Sequence, residues 1–350
     1  MNLSSQCRRW AGLCGLVATW VATASAQPEA GNAAGTNGGG YLFVTFKGER
    51  TPLSEQIYFG LSQDGRHWEA LHGGEPVLTS ELGEHGVRDP YLLRAHDGNK
   101  FYLLATDLST HLHPGWTRAT HAGSHSLMIW ESTDLVHWAA PRLVPVAAAD
   151  AGCTWAPEAV YDEAAQDYLV FWASTTAADA FAKQRIWAAR TKDFRTFGAP
   201  FIYIEKPGNV IDADIVREGG KYYRFAKDET FKAITLESSD QLMGPWQEMT
   251  QFSLAKMVGY EGPEGFILEP AAGGKPAVWG LWLDHYSQGD GYKLFVTHDL
   301  AGGQFAPLGD FRFPFRFRHG FPLAITAAEY QRLQAAYGPK PAREAPAVPR

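Results

Sequence analysis

Residues 126–138 read SLMIWESTDLVHW, and this stretch decides the fold because its pattern returns along the chain. An apolar strand runs into Ser132-Thr133-Asp134, and the aromatic residue Trp138 follows the aspartate. Four other aspartates are followed by an aromatic residue in the same way: Asp64 by Trp68, Asp193 by Phe197, Asp240 by Trp246 and Asp299 by Phe305. Five units of similar length therefore make up most of the chain.

Each unit contains several strands. Runs such as KFYLLATD (100–107) and SLMIWES (126–132) are rich in β-branched and aromatic residues and alternate in polarity, which is typical of strands. A repeat of this size with several strands is typical of a β-propeller blade, so the sequence predicts an all-β, five-bladed propeller. In each turn we expect the aspartate to accept backbone N–H bonds while the aromatic residue packs between blades.

The last strand is predicted to close the ring. Four units begin with an extra segment that supplies an inner strand: RDPYLLRAHDGN, APEAVYDEAAQ, DADIVREGGK and EGPEGFILEPAAGG. The unit that starts at Tyr41 has no such segment, whereas residues 319–325 (HGFPLAI) form a strand with no unit of their own. Pairing the two completes the first blade and leaves no open edge. Thr326 and Glu329 form a capping box that predicts a short C-terminal helix.

The two ends of the chain differ from the middle in composition. Arg8 and Arg9 precede an apolar run (10–23) and small residues at 24–26, which predicts a signal peptide over 1–26 with cleavage before Gln27. We expect a flexible linker over 27–40, the propeller over 41–337 and a disordered tail over 338–350. The protein is then exported to the periplasm or beyond, and is not attached to a membrane after cleavage.

Charge and cysteine content restrict the partners. The chain has 31 Lys and Arg against 38 Asp and Glu, and loss of Arg8 and Arg9 takes the net charge from −7 to 29 minus 38, or −9. Because nucleic-acid binding needs clustered cations, an acidic chain with no basic run is not expected to bind nucleic acid. Cys153 remains as the single cysteine, so no internal disulfide is expected, and we predict a monomer.

The inner strands begin with ionisable residues. These are Asp89, Glu158, Asp212, Glu261 and His319, one from each blade. Taken singly, each acid is as easily a structural ion-pair or turn residue, and Asp214 and Glu264 are local competitors of two of them. Unpaired buried carboxylates are costly, so packing alone does not require acids at this position in several blades. Their convergence at the mouth of the channel predicts a functional site.

Carboxyl groups around an open pocket suit glycoside hydrolysis. One protonates the leaving oxygen, a second activates water or attacks the sugar, and a third raises the pKa of the acid by repulsion. Further residues are predicted to bind substrate: Arg88, Trp155, Glu158, Lys227, Tyr260 and His285. The loop 110–125 contains four histidines, which we interpret as part of a polar loop beside the pocket rather than a metal site.

Five motifs in order resemble glycoside hydrolase family 43, whose members are five-bladed propellers acting on arabinose- and xylose-containing glycans. They are RDPYLLR (88–94), CTWAPEAVYD (153–162), NVIDADIV (209–216), YEGPEGF (260–266) and RHGFPLAIT (318–326). The resemblance implies that Asp89 is the general base, Glu261 the general acid and Asp212 the residue that tunes the acid. It also implies that Glu158 contacts sugar and that His319 binds water or a Ca²⁺ ion at the propeller centre.

The resemblance further implies inversion at the anomeric carbon, with the base and the acid roughly 6.5–9.5 Å apart. A whole blade (41–80) precedes the motif of the base, as in a subgroup with α-L-arabinofuranosidase and galactofuranosidase activities. We therefore expect an exo-acting hydrolase that releases α-L-arabinofuranosyl residues from plant-type glycans, with no organic cofactor. The alternatives are a β-xylosidase, a β-D-galactofuranosidase and, from another class, a non-catalytic carbohydrate-binding propeller.

Overall fold

The computed structural model describes residues 39–339, in which twenty strands form five antiparallel sheets of four strands each. The predicted signal peptide (1–26), the linker up to residue 38 and the tail from residue 340 lie outside the described residues. The predicted all-β propeller is confirmed, since every sheet is one blade and the blades follow one another in sequence.

The blades share one layout, in which strands lie side by side from the axis outward. Blade 1 contains β20 (Phe321–Ile325), β1 (Gly40–Thr45), β2 (Tyr58–Ser62) and β3 (Glu69–Ala70). Blade 2 contains β4 (Val87–Arg94), β5 (Phe101–Asp107), β6 (Ser126–Ser132) and β7 (Arg142–Pro145). Blade 3 contains β8 (Trp155–Asp162), β9 (Asp167–Ser174), β10 (Arg185–Thr191) and β11 (Phe201–Ile204).

The remaining blades repeat this order. Blade 4 contains β12 (Val210–Glu218), β13 (Lys221–Asp228), β14 (Ala233–Ser239) and β15 (Gln247–Glu248). Blade 5 contains β16 (Glu261–Glu269), β17 (Val278–Asp284), β18 (Tyr292–Thr297) and β19 (Ala306–Leu308). Strands β4, β8, β12, β16 and β20 contact one another across blades, so they surround the axis as the sequence predicts.

The C-terminal strand closes the ring. Strand β20 pairs with β1 in antiparallel register, with Leu42 opposite Leu323, and both side chains are buried. The ring of Phe321 lies 4.5 Å from that of Tyr91 in blade 2, centroid to centroid. The last strand therefore joins the first blade to the second, which confirms the predicted closure.

The repeated aspartates stabilise the turns that follow the third strand of a blade. The Asp134 carboxylate accepts hydrogen bonds from the backbone N–H groups of Val136 (2.9 Å) and His137 (2.7 Å). Asp64 and Asp193 accept the same pair of bonds from the residues two and three positions on. In blade 4 the backbone N–H of Gln241 bonds instead to the hydroxyl of Ser239, at 3.1 Å.

Large aromatic residues fill the space between the blades. Trp68, Trp130, Trp172 and Trp282 are each at most 2% exposed. Burial of this much apolar surface supplies the main stabilising free energy of the fold. Cys153 is also buried, and burial raises the pKa of its thiol to about 12, which suits a small core residue rather than a nucleophile.

Two α-helices accompany the strands: α1 (Trp116–His121) and α2 (Ala327–Tyr337). Helix α2 begins with the predicted capping box, in which Thr326 and Glu329 exchange side chain-to-backbone hydrogen bonds. Arg94 of blade 2 forms an ion pair with Glu329, at 2.6 Å, and fixes the helix against the ring. Within residues 39–339, neither helix combines the length and the apolar character needed to cross a bilayer.

Because β20 closes the ring, shortening a buried side chain of this strand should strongly destabilise the fold. We expect Phe321→Ala to lower the free energy of unfolding by about 3–5 kcal/mol, because it removes a fully buried ring between two blades. Urea denaturation measures this, with Ile202→Ala as the control because Ile202 is 45% exposed on an outer strand. Equal midpoints for the two variants would contradict the closure.

Candidate active site

Four inner strands begin with the same irregularity. The pairing register shifts after Arg88 in β4, Trp155 in β8, Ile211 in β12 and Glu261 in β16. The residue after each shift has a left-handed backbone: Asp89 (φ 47°), Ala156 (φ 47°), Asp212 (φ 49°) and Gly262 (φ 51°). Such bulges re-aim side chains and are frequent beside active sites. Positive φ in a non-glycine residue is unfavourable, so the surrounding sheet must hold Asp89 and Asp212 in place.

These bulges sort the residues near the axis into three layers. The residues before the bulges are Arg88, Trp155, Ile211 and Glu261. The residues at the bulges are Asp89, Ala156, Asp212 and Gly262. The residues two positions later are Tyr91, Glu158, Asp214 and Glu264. The expectation that Asp89, Glu158, Asp212 and Glu261 occupy one equivalent position is wrong, because the four acids lie at different distances from the shared bulge. Asp89 and Asp212 lie at the bulge, Glu261 lies before it, and Glu158 lies two residues after it.

Except for Ala156 and Gly262, the residues of the first two layers line a cavity of about 370 Å³. Seven of the residues singled out from the sequence line it: Arg88, Asp89, Trp155, Asp212, Lys227, Glu261 and His319. This volume is near the lower end of the range for ligand pockets, about 300–1,000 Å³, which suits a small ligand. The three proposed catalytic carboxyl groups are thus brought to one cavity from blades 2, 4 and 5.

Three predicted substrate-binding residues lie elsewhere. Glu158 is 4% exposed and belongs to the deepest layer, where it interacts with Asp214 instead of lining the cavity. Glu158 therefore does not reach the cavity, and its predicted contact with sugar stays a prediction. Tyr260 and His285 stack on each other, with ring centroids 4.3 Å apart, and neither lines the cavity.

The His319 ring lies between two carboxylates that line the cavity and a third carboxylate below the cavity. Its Nδ1 lies 3.6 Å from an Asp89 oxygen and 4.0 Å from an Asp212 oxygen, while its Nε2 lies 3.1 Å from Glu264. Burial opposes protonation of the ring, but Asp212, Glu264 and Asp89 outweigh it and raise the pKa of His319 to about 10. The ring then bears positive charge among these acids.

The two aspartates are held by further hydrogen bonds. The Thr106 hydroxyl donates to Asp89 Oδ2 at 3.0 Å, and the backbone N–H of Gly262 donates to Asp212 Oδ2 at 3.1 Å. Burial raises the pKa of Asp212 to about 6, although the His319 charge lowers it. Asp212 therefore loses its proton less readily than an exposed aspartate does.

Glu261 is held by two cations. The Lys227 ammonium donates to Oε2 at 3.0 Å and the Arg318 guanidinium donates to Oε1 at 2.9 Å. Burial would raise the pKa of Glu261, but Lys227 and Arg318 outweigh it and lower that pKa below its usual value. Arg318 itself is fixed by the buried Asp284, whose Oδ2 accepts from its Nε at 2.6 Å.

Comparison with known proteins decides the family. The model of a family related to glycoside hydrolase family 43, described as "Probable glycosyl hydrolase domain", matches residues 37–331. The chain belongs to this glycoside hydrolase 43-related family. The match spans every strand of the propeller and all the residues that line the cavity.

One curated relative and two solved structures are similar to this chain. An α-L-arabinofuranosidase of Bifidobacterium longum subsp. longum is 30% identical over 266 residues, which cover 64% of this chain and 25% of that protein. The chain thus spans a quarter of the length of that relative. The Bacteroides ovatus protein Xyloglucan PUL GH43B has a similar fold, with a TM-score of 0.51 at 15% identity, covering 81% of this chain and 55% of that one.

A second structure, an endo-1,4-β-xylanase of Bacteroides thetaiotaomicron, gives the same TM-score of 0.51 at 15% identity. It covers 77% of this chain and 90% of its own. At this level of identity, these two structures support the five-bladed fold of the family 43-related chain and nothing finer.

The deepest layer of the family 43-related propeller could hold a cation. Carboxylate oxygens of Glu158, Asp214 and Glu264 lie within 4.8 Å of one another, and all three side chains are buried. Among the described residues, Glu158 Oε2 and Glu264 Oε2 have no hydrogen-bond partner. Buried carboxylate oxygens of this kind are the ligands that Ca²⁺ prefers. In residues 39–339, the histidines of the loop 110–125 form no such group.

Several cavity residues were not assigned from the sequence. Arg318 directly precedes His319 in the RHG motif, and its position next to a predicted site residue could have identified it as a cavity residue. Glu49 comes from the loop after β1 and forms ion pairs with Arg88 (2.9 Å) and Arg318 (3.5 Å), for which no local signal exists. Trp116 comes from helix α1, inside the histidine-containing loop.

The ion pairs of Glu261 predict a measurable charge effect. We expect Lys227→Met to raise the pKa of Glu261, because removal of a positive charge at 3.0 Å disfavours the carboxylate. Carbon-13 NMR titration of labelled glutamate follows the shift. Lys293→Met is the control, since Lys293 pairs with Asp290 and does not line the cavity. An unchanged or lowered Glu261 pKa in Lys227→Met contradicts the assigned electrostatics.

Proposed function

We propose that this propeller is an inverting exo-glycosidase that releases α-L-arabinofuranosyl residues from glycans. The observation that carries the proposal is the meeting of Asp89, Asp212 and Glu261, from three blades, at one cavity. Membership of the family supports the hydrolysis of glycosidic bonds, and the relative described as an α-L-arabinofuranosidase supports the sugar. A cavity of about 370 Å³ suits one terminal sugar better than the middle of a chain.

In the proposed reaction, Asp89 removes a proton from a water molecule as the water oxygen attacks the anomeric carbon. The bond from that carbon to the glycosidic oxygen breaks, and its electron pair stays on the leaving oxygen. Glu261 gives its proton to that oxygen, so one water is consumed and the sugar is released with inverted configuration. Asp89 then holds a proton and Glu261 is ionised, and exchange with solvent restores both.

Asp212 and His319 are proposed to prepare the two catalytic groups. The His319 ring lies within 4.0 Å of the Asp89 and Asp212 carboxylates, so it holds both of them beside the cavity. Ionised Asp212 repels negative charge on Glu261, which favours the protonated form that an acid requires.

Lys227 opposes protonation of Glu261 in the resting enzyme. The Lys227 ammonium donates a hydrogen bond to Glu261 Oε2, and Arg318 donates one to Oε1. Neither oxygen can therefore carry a proton and donate it to a substrate. We propose that the bound glycan displaces Lys227 from Oε2. The displaced ammonium keeps its bond to Glu229, at 2.7 Å, and Glu261 gains the environment of an acid.

Catalysis by this pair predicts a sharp loss in two variants. We expect Asp89→Asn and Glu261→Gln to lower kcat on an alkyl α-L-arabinofuranoside by about 10²–10⁴-fold, because each loses a proton-transfer group. Glu163→Gln, on the turn between β8 and β9, is the control and should retain full activity. Aryl β-xylosides and β-D-galactofuranosides in the same assay test the sugar.

Proton NMR of the first-formed sugar tests the stereochemistry. We expect the β-anomer before mutarotation. The α-anomer as first product contradicts inversion, and glycan binding without turnover of any substrate shows a carbohydrate-binding propeller instead of an enzyme.

We also propose that Glu158, Asp214 and Glu264 hold a Ca²⁺ ion beneath His319. Burial raises the pKa of Asp214 to about 7 and that of Glu264 to about 8, and raises the pKa of Glu158 well above its usual value. Such a group binds either protons or a cation near neutral pH. A bound ion would supply fixed positive charge below the cavity. The sequence analysis expected His319 to bind this ion, whereas we propose the three carboxylates beneath His319 as its ligands.

Calcium binding predicts a change in thermal stability. An ion that binds only the folded state adds about 2.7 kcal/mol to the free energy of unfolding when its concentration is a hundred times its Kd. This added stability raises Tm. We expect added Ca²⁺ to raise the Tm of chelator-treated protein, and Glu158→Gln to abolish that response while Glu163→Gln retains it. Metal analysis that finds no bound ion, together with an unchanged Tm, would show that these carboxyl groups hold protons instead.

A further inference from the structure

Trp116 is held at the mouth of the cavity with its ring open to solvent. It lines the cavity and is 58% exposed, and it is the single exposed tryptophan among residues 39–339. An exposed indole contributes little to the stability of the fold, because it removes little apolar surface from water. Its placement beside the catalytic carboxyl groups therefore calls for a ligand.

The segment that carries Trp116 is fixed to the rest of the protein. Arg118 forms a two-bond ion pair with Glu84, at 2.7 and 2.8 Å, and Ala119 is fully buried. The hydroxyl of Thr175, in blade 3, donates to the carbonyl of Thr120. Helix α1 is thus anchored on both sides of blade 2, and Trp116 is presented without a large ordering cost on binding.

A second anchor fixes the start of the same loop. The buried Glu55 accepts hydrogen bonds from the Ser109 hydroxyl (2.6 Å) and the Thr110 backbone N–H (2.9 Å). Glu55 also accepts from Arg88 at 3.2 Å, which connects the loop to the strand that carries the proposed base. The position of Trp116 relative to the cavity is therefore set by ion pairs from blade 1 and blade 2.

An aromatic ring and a cationic hydrogen-bond donor lie beside the Trp116 indole, as is typical of a sugar-binding surface. The Trp155 ring meets it edge to face, with centroids 6.0 Å apart, and the Arg88 guanidinium lies 5.6 Å from its centroid. Trp155 and Arg88 lie in the layer directly above the bulges, so the aromatic surface runs from that layer to the rim. Sugars present C–H faces and hydroxyl edges, which suit an aromatic face beside a fixed hydrogen-bond donor.

We propose that Trp116 stacks on the sugar that leaves, and so forms the subsite next to the one in which the released sugar is bound. This inference rests on the proposed exo-hydrolysis. When the terminal sugar sits against Asp89, Asp212 and Glu261, the rest of the glycan leaves through the mouth, where Trp116 stands. The preferred substrate accordingly has a sugar ring, not a small alkyl group, on the other side of the scissile bond.

Binding measurements in a non-hydrolysing background test the inference. In Glu261→Gln, we compare the Kd of arabinotriose with that of methyl α-L-arabinofuranoside, before and after adding Trp116→Ala. We expect the triose to lose about tenfold more affinity than the methyl glycoside, because only the triose reaches the stacking face. Trp116→Phe should recover part of the loss, and Ile202→Ala, another exposed apolar residue, should cause none.

Equal losses for the two ligands in Trp116→Ala overturn the subsite while leaving the proposed hydrolysis intact. If Glu261→Gln binds neither arabinose ligand, the proposed specificity for arabinose is overturned. The same pair of measurements is then made with xylo- and galacto-oligosaccharides. If Glu261→Gln binds no glycan of any kind, both the subsite and the proposed function are overturned. Circular dichroism of each variant confirms that the propeller remains folded.

Discussion

The bulge at the start of four of the five inner strands is the constraint on which the site depends. An ordinary strand sends alternate side chains to opposite faces, so it cannot place neighbouring residues around one axis. The left-handed backbone at Asp89 and Asp212 breaks that alternation and turns both carboxylates into the cavity. In blades 3 and 5 the residues at the bulge are Ala156 and Gly262, so the shared geometry supplies a carboxylate in blades 2 and 4 only.

Charge balance is the second requirement of this arrangement. Five carboxyl groups line the cavity: Glu49, Asp89, Asp212, Glu229 and Glu261. Arg88, Lys227, Arg318 and the protonated His319 face them, so the acids are brought together without a large net repulsion. Below the cavity, His319 is the one cationic group among residues 39–339 that forms an ion pair with this carboxylate layer, through Glu264. Burial raises the pKa values of Glu158, Asp214 and Glu264, and repulsion by neighbouring acids adds to the rise for Glu158 and Glu264, so this layer needs protons or an ion.

Most of the fold could be predicted from the sequence because each blade repeats one local rule. The turn aspartate and the following aromatic residue mark every unit, and the unpaired segment 319–325 shows how the ring closes. The three proposed catalytic residues could be found because their motifs are local. Glu158 was misplaced because it lies two residues after the bulge, in the layer below the cavity, and no sequence pattern shows where the bulge falls. Glu49 and Trp116 reach the cavity from loops, whose positions depend on tertiary contacts such as the Arg118–Glu84 pair.

A crystal structure of Glu261→Gln with an uncleaved oligosaccharide would show whether carboxyl groups from blades 2, 4 and 5 act on one bound sugar. We expect the terminal sugar in the cavity, with a water molecule held by Asp89 on one face of its anomeric carbon. On the other face we expect the side chain of residue 261 beside the glycosidic oxygen. A sugar bound outside the cavity, or one whose anomeric carbon is out of reach of Asp89 or of residue 261, would contradict it.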